Sequence, residues 1–200
     1  MSAVKKLHRI SVEDYLAEEL ISPIKHEYLG GVVYALAGAR IAHNVVSGNI
    51  HGSLHGRLRG RKCRPFNSDT KVRVQLPTHA RFYYPDVSVV CHSNPQEESF
   101  QDQPVAIFEV LSRATRRTDE GEKRDAYLTI PSLRVYALVE QESASILIDR
   151  RSEQGFINEV YEGQDAVIPL AEIDTELPLA EVYGGVAFSP EPPDEAAELR

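Results

Sequence analysis

Glu109 sits inside AIFEVL, with apolar side chains before and after it. A carboxylate in a buried strand costs several kcal/mol unless it is paired or bound to a metal. Asp86 poses the same question just after Pro85, at the mouth of a second apolar run, YPDVSVVC. Two strands that each deliver one carboxylate can bring both to one end of a sheet. Oxygen ligands of this kind suit Mg2+ or Mn2+, which keep several waters and need only one or two protein carboxylates. Taken singly, a strand-end aspartate in a turn and an edge-facing glutamate are the plainer accounts. Taken together, in consecutive strands, they point to a shared cation. If phosphate is the substrate, a further cation belongs beside the pair, and Lys123 in DEGEKRDAY is available to orient water and offset developing charge. Asp119 lies four residues earlier, so an ordinary helix salt bridge is the competing account of Lys123. No nucleophile stands at recognisable spacing from a base, so water is the expected attacking group.

The elements that must position these groups are legible along the chain. SVEDYLAEEL opens on Ser11 with Asp14 three residues later, resembling a capping box, and predicts a helix over 12–20 with Val12, Tyr15, Leu16 and Leu20 as its apolar stripe. KHEYLGGVVYALAG reads as a hairpin turned at Gly30-Gly31. Val46, Ile50, Leu54 and Leu58 recur at helical spacing, and His51 and His55 share another face of the same helix. DTKVRVQL alternates, with Val72, Val74 and Leu76 inward and Lys71, Arg73 and Gln75 outward. YPDVSVVC and PVAIFEVLS suit strands buried on both faces. TDEGEKRDAYLTI reads as a helix stopped by Pro131, LRVYALVE as a further strand, and SASILIDRR with GFINEVYE as a hairpin turned at 152–155. Helix, three strands, helix, strand predicts one mixed sheet flanked by helices.

Composition narrows the classes. The chain of 200 residues is one domain's worth, and 42% hydrophobic with 26% charged residues fits an ordinary globular protein. No apolar run is long enough to cross a bilayer, and MSAVKKLHRI lacks the apolar stretch of a signal peptide, so a cytoplasmic protein without a membrane partner is expected. Cys63 and Cys91 are far apart without metal-type spacing, and free thiols are expected. The net charge of −8 is unevenly spread: residues 152–200 carry twelve acids and one arginine, whereas residues 40–81 carry nine basic residues against the single Asp69. That segment suits a nucleic-acid partner, with a solvated helix face as the plainer account. A zinc hydrolase built on His43, His51 and His55 is disfavoured, because only His51 and His55 share a face and no paired acid adjoins them.

Pro85-Asp86 followed by Glu109, on consecutive strands ahead of a helix, resembles the PD-(D/E)XK nuclease superfamily. The blocks HEYLGGVVYALAGARIAHN, NSDTKVRV, YYPDVSVVC, FEVLSRATRRTDEGEKRDAYLTIPSLRVYALV and DRRSEQGF, in that order, resemble the Uma-type family of restriction endonucleases across residues 10–185. The resemblance implies an α/β (mixed α+β) fold: a restriction-endonuclease-like core with a central mixed sheet flanked by helices, an N-terminal helix and hairpin, and additional C-terminal strands. The nuclease domain is expected over 1–185, with a Pro/Glu-rich acidic tail, disordered, over 186–200. It implies Mg2+ (or Mn2+) held by Asp86, Glu109 and the backbone carbonyl of Val110, with no organic cofactor. The superfamily's lysine stands two residues after the glutamate, where this chain has Leu111; the family pattern moves it to the next helix, where Lys123 matches. The acid usual on the first core helix is missing, and Glu27 in His-Glu-Tyr is the candidate substitute. His43 and Asp69 are candidates to hold a phosphate or an outer water, His43 having a structural helix-start role as its alternative. Arg113, Arg116 and Arg117 add positive charge beside the site, and Arg57, Arg59, Arg61 and Arg64 are the candidate nucleic-acid contacts. The chain departs from the family at Gly30-Gly31, where Asp-Gly is usual, and at Ser112-Arg113-Ala114-Thr115, where Ser-Pro-Ser-Thr is usual. The expected activity is metal-dependent hydrolysis of DNA phosphodiesters, with a non-catalytic regulatory or binding partner as the alternative and a homodimer as the candidate assembly.

Overall fold

A computed structural model describes residues 9–188. The acidic tail expected beyond 186 lies almost wholly outside the described residues. Helix α1 (Val12–Glu19) starts where Ser11 accepts a hydrogen bond from the amide of Asp14, at 3.0 Å. Tyr15 is its buried anchor, whereas Leu20, expected on the apolar stripe, falls one residue past the helix and is exposed. Strands β1 (His26–Leu29) and β2 (Val32–Ala35) form the expected hairpin. Gly30 and Gly31 turn it at φ 58° and 104°, a region closed to most side chains, and a Cβ on Gly30 would meet His79 at 2.8 Å. Helix α2 (Ile41–Arg57) buries Val46, Ile50 and Leu54 completely, at about 1.5–3 kcal/mol each.

The next strands are β3 (Arg64–Asn67), β4 (Lys71–Gln75), β5 (Ala80–Tyr83), β6 (Val87–Val90), β7 (Phe100–Gln101) and β8 (Pro104–Val110). A helical stretch follows: α3 (Arg116–Thr118), a π turn (Asp119–Lys123) and α4 (Arg124–Tyr127). It ends before the expected boundary, because the residue before Pro131 is disfavoured in helical backbone, and the amides of Thr129 and Ile130 close tighter turns onto Ala126 and Tyr127. Strands β9 (Val135–Val139), β10 (Ser145–Ser152) and β11 (Gly155–Glu162) are followed by a small hairpin, β12 (Val167–Leu170) with β13 (Thr175–Pro178), and α5 (Leu179–Val182).

Two larger sheets result, where one was expected. The first has the order β11-β10-β9-β8-β6-β3, with β8 and β9 parallel and the other neighbours antiparallel. The second has the order β2-β1-β5-β4-β7 and claims β4, because its valines pack against β5 and the far face of the first sheet. Helix α2, β12, β13 and α5 cover one face of the first sheet; α4 and the second sheet cover the other. Helix α1 closes the outer face of the second sheet through Tyr15, Tyr28, Phe82 and Phe100. Glu109 thereby lies between the two sheets rather than at a solvent face. Lys71, expected outward on β4, is buried against Tyr84.

The expectation of free thiols is corrected: Cys63 and Cys91 form a disulfide. Strand β3 pairs antiparallel with β6, Arg64 opposite Val90, so the residues just beyond that pair are Cys63 and Cys91. Spacing in sequence could not reveal this, because it depends on β3, a four-residue edge strand holding Pro65. No helix among the described residues is long and apolar enough to cross a membrane.

Candidate active site

Strands β6 and β8 run antiparallel with Val87 opposite Phe108, and the same register carried one step further sets Asp86 opposite Glu109. The Asp86 amide donates to Glu109 Oε2 at 3.3 Å, and the Val110 amide donates to Asp86 Oδ2 at 2.7 Å. Two isolated acids of the sequence are thus adjacent at the carboxyl end of β8. Lys123 comes from the π turn and points inward. Its Nζ lies 2.9 Å from Glu27 Oε1, 3.5 Å from Asp119 Oδ1 and 3.7 Å from Glu109 Oε1. Lys123 thus meets Asp119, as a helix salt bridge would, and meets Glu27 and Glu109 as well. Glu27 reaches the cluster because β1 pairs with β5, and the Tyr84 amide donates to its Oε1 at 3.4 Å. Leu111, two residues after Glu109 and so on the same face of the extended chain, is buried in the apolar layer with Tyr127, and the cluster's ammonium comes from Lys123 instead.

His43, near the start of α2, lies with Nε2 3.2 Å from Asp86 Oδ2 and against the Val110 carbonyl. Asp69 is exposed, bonded to Lys25 and Asn67, and makes no contact with the cluster. The arginines divide. Arg57 pairs with Glu181, Arg61 with Asp174, Arg113 with Glu142, and Arg116 with Glu120 and Glu140. Arg59, Arg64 and Arg117 are exposed and make no ion pair among the described residues.

Asp119, read from sequence only as a helix partner of Lys123, and Tyr127, not singled out there, both belong to the cluster. The Tyr127 hydroxyl donates to Glu109 Oε1 at 3.3 Å, and Tyr136 donates to the Asp119 carbonyl. Asp119, Lys123 and Tyr127 recur every four residues, a spacing that marks one helical face and could have found them.

Three carboxylates, of Glu27, Glu109 and Asp119, thus surround one ammonium, and Asp86 lies beside Glu109. Burial pushes Glu109 well above the usual carboxylate range, with Lys123 opposing and its acidic neighbours reinforcing the shift. Burial raises Glu27 and Asp119 too, against the pull of Lys123. For Lys123 burial alone would favour the neutral amine, but Glu109, Glu27 and Asp119 outweigh it and hold the ammonium. Burial likewise opposes charge on His43, and Asp86 with the Val110 carbonyl overcomes it.

The donor set suits a hard divalent cation: carboxylate oxygens, a backbone carbonyl, and a surplus of buried negative charge that one ammonium does not balance. Asp119 Oδ1 is buried and, with the Lys123 ammonium at 3.5 Å, accepts no hydrogen bond among the described residues. Among those residues no three acidic, histidine or cysteine side chains meet at one point. Two carboxylates and a carbonyl with waters completing the shell satisfy Mg2+ without a third.

Comparison with known proteins agrees with this architecture. The family model Uma2, described as "Putative restriction endonuclease", matches residues 12–180. An uncharacterized protein of Synechocystis sp. (strain PCC 6803) is 31% identical over 184 residues, covering 90% of this chain and 94% of that protein. A second uncharacterized protein of the same strain is 30% identical over 148 residues, covering 70% of this chain and 80% of its own length. Among solved structures, a putative nuclease belonging to DUF820 from Anabaena variabilis superposes with a TM-score of 0.67 at 16% identity, over 87% of this chain and 97% of that one. The fold is therefore the restriction-endonuclease-like mixed α+β arrangement implied by the sequence blocks.

Proposed function

Because the chain belongs to the Uma2 family of putative restriction endonucleases, we propose that it is a divalent-metal-dependent endonuclease hydrolysing DNA phosphodiester bonds at Asp86 and Glu109. The observation that carries this reading is the buried cluster in which Glu27, Glu109 and Asp119 share the Lys123 ammonium while Asp86 lies alongside. A surplus of buried carboxylates with raised proton affinity is costly to the fold and useful to a cation site. Asp86, Glu109 and the Val110 carbonyl would hold Mg2+ or Mn2+. The cation, when bound, supplies Lewis acidity toward a phosphoryl oxygen and lowers the pKa of a water.

The chain's own residues do the rest. Lys123 holds a positive charge where negative charge gathers on the phosphoryl oxygens, and needs no reorganisation because three carboxylates already fix it. Glu27 orients that ammonium from the second sheet. Tyr127 fixes Glu109 Oε1, which leaves Oε2 toward Asp86. His43, 3.2 Å from Asp86 Oδ2, is placed to meet a phosphate oxygen once the ring swings from that carboxylate.

The test is cleavage of supercoiled plasmid by purified protein across Mg2+ and Mn2+ concentrations, with EDTA, Asp86→Asn and Lys123→Met as controls. Cleavage that requires metal and vanishes in Asp86→Asn is expected. Equal cleavage by wild type and Asp86→Asn overturns the assignment. The second reading, a non-catalytic binding member of the fold, is favoured by His43 standing against both Asp86 and Val110. Wild-type protein that binds DNA yet cleaves none with any divalent metal would establish that reading instead.

A further inference from the structure

A cavity of about 850 Å³ opens beside β3, the outer strand of the six-stranded sheet, and none of the catalytic proposals uses it. Arg59, Arg61 and Arg64 stand on its wall; Arg59 and Arg64 are exposed and in no ion pair among the described residues, whereas Arg61 is held by Asp174. At its floor is Lys71, only 4% exposed. Its ammonium donates to the Tyr84 hydroxyl at 3.2 Å and has no carboxylate within ion-pair distance among the described residues. Acids are present, but they are engaged: Glu19 accepts from Tyr84 at 2.8 Å and pairs with His26, and Asp69 pairs with Lys25. Glu98 alone is exposed at the rim without a partner among the described residues. A buried ammonium held only by a phenol lacks the anion that would compensate its desolvation. Burial accordingly pulls the proton affinity of Lys71 down.

The cavity adjoins the carboxylate cluster. Tyr84 is shared: its hydroxyl meets Lys71 on the cavity floor and its amide donates to Glu27 in the cluster. Two extended residues, about 7 Å of chain, separate Tyr84 from Asp86. The floor of the cavity and the cluster would therefore face neighbouring nucleotides of one strand. Its volume lies in the range that encloses small organic groups, of roughly 300–1,000 Å³, not a double helix. His55 and Phe66 on the wall offer rings on which a base can lie. Cations that follow a backbone, with interleaved rings, are the elements of single-strand recognition.

We propose that this cavity is a track for a single strand of nucleic acid leaving the cleavage site, with Arg59, Arg64 and Lys71 meeting successive phosphates. The inference rests on the nuclease reading, and it separates the four arginines of the basic segment into two classes. Arg59 and Arg64 are free to meet phosphate. Arg57 and Arg61 are held by Glu181 and Asp174 on the C-terminal elements and serve the fold.

The experiment measures equilibrium binding of a fluorescent oligothymidylate by anisotropy, in EDTA, at several salt concentrations, with the full chain. Neutralising two phosphate contacts on a single strand should make the slope of log affinity against log salt shallower by about 1.4. Arg59→Gln/Arg64→Gln is expected to show that change, and Arg57→Gln/Arg61→Gln to keep the wild-type slope. Lys71→Met is expected to weaken binding further. The exposed arginine pair keeps the test independent of whether that buried variant folds. Equal slopes for both arginine pairs, tighter binding to a duplex of the same length, or no binding by wild type would each overturn the track. Failure of the nuclease reading looks different: oligonucleotide binding persists with the predicted slopes while plasmid stays uncut with every metal.

Discussion

Lys123→Met tests the electrostatics of the cluster directly. The substitution removes the ammonium and keeps most of the stem, so packing changes little. It leaves Glu27, Glu109 and Asp119 without the cation that lies 2.9, 3.7 and 3.5 Å from them. Removing one partner of a buried pair costs about 3–5 kcal/mol, because the remaining charge stays desolvated. For a chain of this size each kcal/mol moves the melting midpoint by about 2–4 °C, so a loss of about 6–20 °C is expected near pH 8. The pH dependence has a definite sign. All three carboxylates bind protons more tightly folded than unfolded, because of burial, and losing Lys123 strengthens that preference. An acid with a raised folded pKa destabilises the fold as pH rises from its unfolded value, about 4.3 for glutamate, through the folded one. The deficit of Lys123→Met relative to wild type should therefore be largest at pH 8 and shrink toward pH 5. The assay is thermal denaturation of both proteins by circular dichroism across that range, in EDTA. A variant as stable as wild type at pH 8, or a deficit that grows on acidification, would refute the reasoning.

Glu109→Gln should be at least as stable as wild type at pH 8 by urea denaturation. It removes a buried charge and leaves Lys123 its two other carboxylates, an advantage that fades toward pH 5 as wild-type Glu109 takes up its proton. Cleavage should be lost in the same variant, and a larger stability loss at pH 8 than at pH 5 would contradict this. Asp86→Ala and Asp86→Asn should both be inactive yet differ in urea midpoint. Alanine leaves the Val110 amide, now bonded at 2.7 Å, without its acceptor, at about 1–3 kcal/mol, and asparagine keeps an oxygen there. Equal midpoints would mean that water replaces the carboxylate freely. Reduction of Cys63–Cys91, which closes a separation of 28 residues, should cost about 3–4 kcal/mol. A melting midpoint unchanged by dithiothreitol, or a Cys63→Ser/Cys91→Ser variant that still responds to it, would argue against the bond in solution.

The parts of the site that were legible in the sequence are those that break a local rule. Glu109 and Asp86 stand out because charge interrupts apolar strands, and their strands turn out to be neighbours in register. Lys123 stands out because Leu111 fills the place where the superfamily keeps its lysine. What stayed hidden obeys local rules and acquires its meaning from tertiary contact. Asp119 and Lys123, four apart, read as an ordinary surface pair, yet both are buried. The alternation of DTKVRVQL shows that one face of β4 is covered but not which sheet covers it. Arg57, Arg59, Arg61 and Arg64 are equivalent in composition. Only the fold brings Glu181 and Asp174, more than a hundred residues away, onto two of them.

Splitting the expected single sheet in two bears directly on the chemistry. Asp86 and Glu109 come from the first sheet, Glu27 from the second, and Lys123 from the helical stretch packed between them. No single element brings enough negative charge to bind a cation, so the charge surplus exists only in the folded state. Two basic side chains meet that cluster: Lys123 at Glu27, Glu109 and Asp119, and His43 at Asp86. They are not equivalent. Lys123 is enclosed by three carboxylates and is part of the fold's stability. His43 touches the cluster at its margin, on the side where Asp86 and Val110 offer their oxygens. On the proposed reading, a divalent cation held by Asp86 and Glu109 would meet His43 rather than Lys123, because the three carboxylates already enclose that ammonium.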